Sequence, residues 1–393
     1  MRKGLLLIFS FLTMVTQGQD FEAMSSDVNR FALSTYAQMA GADKGNFVFS
    51  PLSLNFALRM VEAGAVGKTY SEMETVLNPD EDQRQIGINT KRYSQMLQNS
   101  EPCAISIANS VWVSKGYKLL PGYVDTLKAS YGADCSPLDF SSRRACRRAC
   151  VVVNQWVSDQ TNGKILRLLE DNMVNANTRM ILVNAISFKC EWMNKFKSKN
   201  NIDGEFHSID GSVSNHTFMS QTDNFGYADN DDFQAVELPY SGGRFSMLII
   251  LPRDDSFDKV ETALTADLVL NTLTRLSNER VALTMPKFKG ETSVDFSQIL
   301  RTMGVVEAFG AEADFSAMSG RSDLQLSQVV QKTVIDVDES GTEAASATAA
   351  TMMVKSAFFP ELKHFTADRP FVYFIVDVQT NTILFAGRYV TAH

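Results

Sequence analysis

A long segment of small, nearly uncharged residues lies near the end of this 393-residue chain, between Glu339 and Ser356. In an extended segment the side chains alternate between two faces. One face would then carry Thr342, Ala344, Ser346, Thr348, Ala350, Met352 and Val354. Glu343, the only charged residue between Gly341 and Lys355, falls on the other face. The pattern predicts strand addition, in which an exposed loop enters a sheet without burying a charge.

Catalytic and metal-binding residues form no recognised pattern elsewhere. Gly67-Lys68-Thr69 resembles the end of a phosphate-binding loop, but that loop needs glycine where Glu62 stands. The sequence contains neither GxSxG nor HExxH, and its four histidines have no catalytic spacing. No Cys/His cluster suggests a metal site. We therefore expect neither an enzyme nor a metal-binding protein.

The formal net charge of −8 argues against nucleic acid as a partner, because nucleic-acid-binding proteins usually carry a basic surface. One basic cluster is present: Arg143, Arg144, Arg147 and Arg148. On a helix these side chains recur at i,i+4 spacing and could bind a sulfated glycosaminoglycan. A solvated helical face is the simpler interpretation, which we favour, so no cofactor is expected.

The first residues have the features of a secretory signal peptide. Arg2 and Lys3 precede an apolar run over residues 5–15, which is too short to cross a membrane, and small or polar residues follow. We expect residues 1–18 to be removed, leaving a single domain over residues 19–393. The protein is then secreted, extracellular and not bound to a membrane.

Asn215 begins a glycosylation sequon, which predicts a glycan if the protein is secreted. Five cysteines are present: Cys103, Cys135, Cys146, Cys150 and Cys190. This odd number leaves at least one thiol without a partner in the chain, and the spacing does not decide the pairing.

Apolar periodicity predicts helices over residues 27–39 and 52–63, and Thr69-Tyr70-Ser71-Glu72 resembles a capping box that opens a helix through Leu77. Strand-like runs follow at 105–113, 180–188, 245–251, 281–288, 329–337, 371–378 and 382–389. Helices early and strands late favour an α+β fold.

Several ordered motifs resemble the serpin family over essentially the whole mature chain. The family's hinge signature is matched by Glu339, Ser340, Gly341, Thr342, Glu343, Ala344, Ala345, Ser346, Ala347 and Thr348. Other matches are at 46–53, 64–69, 153–165, 182–189 with Trp192, 365–371 and 384–388. The resemblance implies a serpin fold with three β-sheets, about eight to nine helices and an exposed reactive-centre loop over about 339–360.

The resemblance also implies a reactive bond sixteen residues after Glu339, between Lys355 and Ser356. Without the hinge, Lys355 would be an ordinary exposed loop lysine. Lysine before the bond implies a trypsin-like serine protease, whose primary pocket carries an aspartate. The apolar residues on both sides leave open a chymotrypsin-like or cysteine protease that cleaves a neighbouring bond.

By position, the resemblance assigns a polar cluster beneath the central strands to Ser50, Ser53, Asn184 and Gln331. The two serines are equally well explained as N-cap residues of a helix that starts at Leu52. Gln331 stands where the family often has histidine, so a histidine-based pH response is not expected.

The top of the main sheet is assigned to Trp192, Lys287 and Glu339, with Lys287 paired to Glu339. Cys190 replaces a glycine that is usual before the tryptophan.

The implied activity is inhibition of an extracellular trypsin-like protease by a monomer. The loop is cleaved, an acyl-enzyme forms, and the hinge enters the sheet with the protease attached. The inward hinge positions Thr342, Ala344 and Ser346 carry no charge that would be buried unpaired. This favours an inhibitor over a serpin that acts as carrier, storage protein or chaperone, which stays the alternative.

Overall fold

Two sheets organise the part of the chain that the computed structural model describes, residues 21–77, 82–253, 256–342 and 361–392. The α-helices in these ranges are α1 Glu22–Ala42, α2 Pro51–Glu62, α3 Gly67–Leu77, α4 Gln83–Gln98, α5 Pro121–Thr126, α6 Arg143–Gln160, α7 Phe257–Thr262, α8 Ala266–Arg275, α9 Ser297–Met303 and α10 Ser316–Ser319. None of these helices combines the length and the apolar character that crossing a membrane requires.

The strands in the same ranges are β1 Phe47–Phe49, β2 Ala104–Ser114, β3 Asp134–Leu138, β4 Met180–Glu191, β5 Ile202–His207, β6 Val213–Asp229, β7 Phe233–Pro239, β8 Phe245–Pro252, β9 Ser277–Pro286, β10 Phe288–Asp295, β11 Leu326–Val337, β12 Gly341–Thr342, β13 Lys363–Thr366, β14 Phe371–Asp377 and β15 Thr382–Tyr389. The α+β class is confirmed.

The smaller sheet has six strands in the order β10-β11-β12-β4-β2-β3. Its central strands β4 and β11 are also direct parallel neighbours, from Leu326 opposite Met180 to Val334 opposite Ser187. Almost every residue of β4 is buried, as expected for a parallel strand that is covered on both faces. The two-residue strand β12 lies between β4 and β11 at one end.

Helices cover both faces of this sheet. On one face, α6 packs through Trp156, whose ring meets that of Trp112 on β2 edge to face at 5.9 Å. Helix α2 contacts β4 and β2 and is buried along its whole length, between the two sheets. Its charged residues Arg59 and Glu62 form a buried ion pair at 3.0 Å, which offsets the cost of removing both charges from water.

The larger sheet has nine strands and replaces two of the three sheets that the resemblance implied. The reason is the long strand β6. Its residues from Phe218 to Tyr227 pair with β9, and its last residues, from Gly226 to Asp229, pair with β7. Strand β6 thus joins two groups of strands into one continuous sheet. The helix count of about eight to nine also becomes ten in the described ranges, because α5, α7 and α10 are short.

Two sequence predictions about individual elements are wrong. The segment Thr69–Glu72 is not a capping box, since α3 already starts at Gly67. The Thr69 hydroxyl instead accepts a hydrogen bond from Asp314 N at 2.9 Å, and Glu72 accepts from Val306 N. The run 281–288 is two strands, because the chain leaves one sheet at Pro286 and enters the other at Phe288. This places Lys287 at the junction of the sheets.

Helices are also not confined to the first half of the chain, since α7 to α10 lie between the later strands. Five strand predictions lie within three residues of the observed ends, which are 104–114, 180–191, 245–252, 326–337 and 371–377. Strand β15 has the predicted ends.

Candidate functional site

The first residues of the predicted hinge are already part of the smaller sheet. Thr342 is fully buried and lies opposite Cys190 on β4 and Val337 on β11. Just before it, Ser340 O accepts a hydrogen bond from Trp192 N at 2.9 Å, and Glu339 O accepts one from Phe196 N at 2.9 Å. Gly341 and Thr342 thus form a short strand between β4 and β11. We call the place where residues 339–342 contact the sheet the entry site.

Gly341 is needed because the backbones approach closely at the entry site. A Cβ atom at this position would overlap the carbonyl oxygen of Cys190 and lie 2.5 Å from Cα of Glu191. Real Cβ atoms do not come this close to backbone. The glycine of the hinge signature therefore has a packing cause as well as a flexibility cause.

Tyr240 and Trp192 pack against the entry site and hydrogen-bond to it. The Tyr240 hydroxyl and Thr342 Oγ1 are 2.6 Å apart, and the two aromatic rings are stacked with centroids 4.5 Å apart. Trp192 Nε1 donates to Asp338 O at 2.9 Å. Burial raises the pKa of Tyr240, so its hydroxyl stays neutral and can hydrogen-bond to Thr342. The sequence analysis missed Tyr240, which directly follows β7, a strand that was not predicted.

The expected pairing of Lys287 with Glu339 is present, with Nζ 2.9 Å from Oε1. Asn201 Nδ2 donates to the same carboxylate at 2.6 Å. Partial burial by itself would raise the pKa of Glu339, but the hydrogen bonds from Asn201 and Lys287 outweigh burial and lower it. The carboxylate is thus held ionised at the outer edge of the entry site.

The polar cluster assigned to Ser50, Ser53, Asn184 and Gln331 is assembled and buried. Gln331 exchanges two hydrogen bonds of 2.9 Å with the backbone of Ser50, donating from Nε2 and accepting at Oε1, and Nε2 also donates to Asn184 Oδ1. Asn184 Nδ2 donates to the backbone oxygen of Ser53 at 3.1 Å. Glutamine thus fills a position where histidine is common in the family, with both donor and acceptor bonds.

Asn109 on β2 belongs to the same cluster and was missed in the sequence. It lies opposite Asn184 in the β2–β4 register, and Asn184 lies opposite Gln331 in the β4–β11 register. The three amides form a polar row across three strands, and Asn184 Nδ2 also donates to Asn109 Oδ1. An asparagine inside the apolar run 105–113 could have suggested a buried polar contact. Its partner Asn184 could be identified only from the register of β2 and β4.

Both interpretations hold for Ser50, whereas Ser53 is the third residue of α2 and not an N-cap. Ser50 is the N-cap of α2, and its Oγ accepts a hydrogen bond from Ser53 N at 3.3 Å. The same Oγ donates to Leu384 O at 2.7 Å, which ties the helix start to β15.

The remaining predicted sites lie apart from the entry site. Asn215 is exposed on β6. The four arginines 143, 144, 147 and 148 are exposed on the first turns of α6, which confirms their helical spacing. Residues 1–20 and 343–360, with Lys355 and Ser356, lie outside the described residues.

Two further features bear on function. A disulfide joins Cys103 to Cys190 beside the entry site, while Cys135, Cys146 and Cys150 are thiols. A cavity of about 1240 Å³ lies between α1, α8 and the turn from β14 to β15. Its lining includes Arg30 and Asn29 beside Leu33 and Leu270.

Comparison with known proteins identifies related chains of similar length. The family model for serpins, described as serine protease inhibitors, matches residues 26–392. An uncharacterized serpin-like protein of Thermococcus kodakarensis is 38% identical over 378 residues, which are 95% of this chain and 87% of the relative. Leukocyte elastase inhibitor A of mouse is 34% identical over 93% of this chain and 99% of its own.

Among solved structures, human thyroxine-binding globulin in complex with thyroxine is similar, with a TM-score of 0.86 and 27% identity over 95% of this chain and 99% of its own.

The Lys287–Glu339 pair gives a pH prediction. The pKa of Glu339 is lowered in the folded protein, so the pair stabilises the fold at neutral pH and loses this effect as the pH falls below the ordinary glutamate value of about 4.5. We expect Glu339→Gln to lower the thermal midpoint at pH 7 by the equivalent of about 1 kcal/mol or less, and by less at pH 3.5, because the contribution is lost as the pH falls through the lowered pKa of Glu339.

Thermal scans of both proteins across this pH range check the prediction. Glu361→Gln, which removes an ion pair between the exposed Glu361 and the half-buried Lys363, is the matched control. A difference between Glu339→Gln and the parent protein that is as large at pH 3.5 as at pH 7 would contradict the prediction.

Proposed function

The chain belongs to the serpin family, and we propose that it is a secreted inhibitor that traps a trypsin-like serine protease after cleavage of Lys355–Ser356. The observation that carries this proposal is the hinge seated at Thr342. A short β12 already pairs with both β4 and β11, so the new strand has a defined starting point. The protein acts as a monomer until the complex forms.

The path of insertion follows from the sheet. Beyond the entry site, β4 and β11 pair directly with each other, so each further hinge residue must separate one more rung. The incoming strand then satisfies the backbone groups of both strands, as strand addition by the loop is known to do in serpins. Within the polar row, the hydrogen bond between Gln331 and Asn184 links β11 to β4 and must break for insertion to pass.

Timing decides between inhibitor and substrate. The acyl bond to Lys355 must persist until the hinge has moved the protease away from the entry site. Loss of one oxyanion-hole donor slows acyl chemistry only about 10²–10³-fold. Durable trapping therefore requires wider distortion of the protease, which in turn requires insertion to start quickly. Small, uncharged side chains at Thr342, Ala344 and Ser346 suit such a start.

Secretion is supported by three features. The first residues resemble a signal peptide, Asn215 of the sequon is exposed, and the Cys103–Cys190 disulfide suits an oxidising compartment. None of these features depends on the others.

The protease class is inferred from Lys355. A lysine before the cleaved bond fits a primary pocket that carries an aspartate. The mouse relative is named as an inhibitor of leukocyte elastase, so the lysine is the residue that favours a trypsin-like protease in this chain. A chymotrypsin-like or cysteine protease would use a neighbouring bond instead.

A carrier is the second candidate function. Thyroxine-binding globulin, a structural relative, contains thyroxine in its solved structure. The cavity of about 1240 Å³ between α1 and α8 has room for a small molecule in the present chain. The uncharged hinge favours inhibition over this alternative.

The first test mixes the purified protein with excess trypsin. We expect a complex that survives denaturing electrophoresis, together with a released peptide that starts at Ser356, because the acyl bond joins the protease to Lys355. Mass spectrometry identifies both products. Lys355→Ala is the control, and it should abolish the complex with trypsin. Cleavage after Lys355 without any complex would contradict inhibition of this protease class.

A hinge variant tests the role of insertion. Thr342 is already fully buried between β4 and β11, so Thr342→Arg would bury an unpaired charge there at a cost of about 3–5 kcal/mol and would displace the start of the inserting strand. We expect this variant to be cleaved at the same bond but to form little complex. Thr342→Ser keeps the hydroxyl that meets Tyr240 and should trap trypsin as the parent protein does. Equal amounts of complex from Thr342→Arg and Thr342→Ser would refute the role of the hinge.

A further inference from the structure

The disulfide between Cys103 and Cys190 lies directly beside the entry site. Cys103 directly precedes β2, and Cys190 is the last residue but one of β4. Both side chains are buried, and the two Cα atoms are 4.5 Å apart. The β2–β4 ladder ends with Ala104 opposite Lys189. The disulfide thus adds a covalent link one position beyond the last rung.

Cys190 has a second role in the same place, because its backbone is where the hinge is seated. Thr342 pairs with Cys190 on one edge of β4, while the disulfide holds the other edge against β2. Strand ends open locally at low cost unless other contacts hold them. The hinge pairs with this end of β4, and the disulfide prevents the end from separating from β2.

We propose that the Cys103–Cys190 disulfide is a positioning element for hinge insertion, and that a dithiol reductant shifts the protein from inhibitor toward substrate. This inference rests on the proposed inhibitory function. Insertion competes with deacylation. If the end of β4 frays, insertion slows, and a smaller fraction of cleaved molecules ends in a complex with the protease. Cleavage itself depends on the residues around Lys355 and keeps its rate.

The redox step is balanced by the reductant. A dithiol transfers two electrons and two protons, the bond between the two Sγ atoms breaks, both become thiols, and the reductant closes its own disulfide. The other cysteines do not compete. Burial raises the pKa of Cys150 to about 11 and that of Cys135 to about 12, and it also raises the pKa of Cys146. These thiols therefore stay protonated near neutral pH and attack the disulfide poorly.

The effect is partial, because other contacts also hold the end of β4. Ser241 N donates to Glu191 O at 2.8 Å, and Trp192 keeps its stacking on Tyr240. We therefore expect a change in the ratio of complex to cleaved protein, with the complex still detectable.

The test uses the folded protein in two forms, oxidised and reduced with dithiothreitol, the latter desalted before trypsin is added so that the protease meets no reductant. The stoichiometry of inhibition, meaning the molecules of this protein consumed per protease trapped, should rise about threefold to tenfold on reduction, the range that one weakened hydrogen-bonded rung produces. The rate constant for loop cleavage should not change. Counting thiols confirms that only this disulfide has opened.

Two variants make the result specific. The double variant Cys103→Ala/Cys190→Ala should match the reduced protein and show no response to dithiothreitol. Cys135→Ala keeps the disulfide and should respond as the parent protein does. Reducing the parent protein after folding provides the test if the double variant does not fold.

Each outcome separates the inference from the function on which it rests. A lower thermal midpoint with unchanged stoichiometry would mean that the disulfide only stabilises the fold, which would overturn the proposed positioning role while leaving inhibition intact. A response of the double variant to dithiothreitol would also overturn it. No complex at all from the oxidised parent protein would overturn both proposals.

Discussion

The direct parallel pairing of β4 with β11 is the interaction on which the rest of the structure depends. It closes the smaller sheet from Met180 to Ser187 and leaves only a short opening, which Gly341 and Thr342 fill. Strand β12 pairs with both strands at this opening, which gives a new strand a defined place to start. The narrow space between β4 and β11 explains three features of the entry site. The hinge has small side chains, Gly341 fits against the backbone of Cys190, and the Tyr240 hydroxyl contacts Thr342.

The same pairing also sets a barrier within the sheet. The amides of Asn109, Asn184 and Gln331 form a row across β2, β4 and β11, and Gln331 binds the start of α2 through Ser50. Buried polar groups are costly when they lose their partners, so this row resists separation of the strands until an inserted strand restores their order. The sheet is therefore open to a new strand at one end and resists separation in its middle, an arrangement that suits the proposed inhibitor, whose loop would insert only after cleavage.

Short sequence patterns were enough to predict individual helices and strands. Contacts that depend on how the strands pair could be seen only in the structure. The periodicity of α1 and the apolar run of β15 were read from the sequence itself, and the Lys287–Glu339 pair followed from the resemblance to serpins. Asn109, Tyr240 and the Cys103–Cys190 disulfide did not, because each meets a partner more than 70 residues away. The merging of two expected sheets through β6 was missed for the same reason, since one strand serves two ladders only in three dimensions.

The central claim, that the loop is withheld from the sheet until it is cleaved, is tested most directly by calorimetry. The intact protein and the protein cleaved after Lys355, freed of protease, are heated under identical conditions. If the loop inserts, the cleaved protein gains a full strand between β4 and β11, and its thermal midpoint rises well above that of the intact protein. An equal or lower midpoint after cleavage would contradict loop insertion and would favour the carrier function.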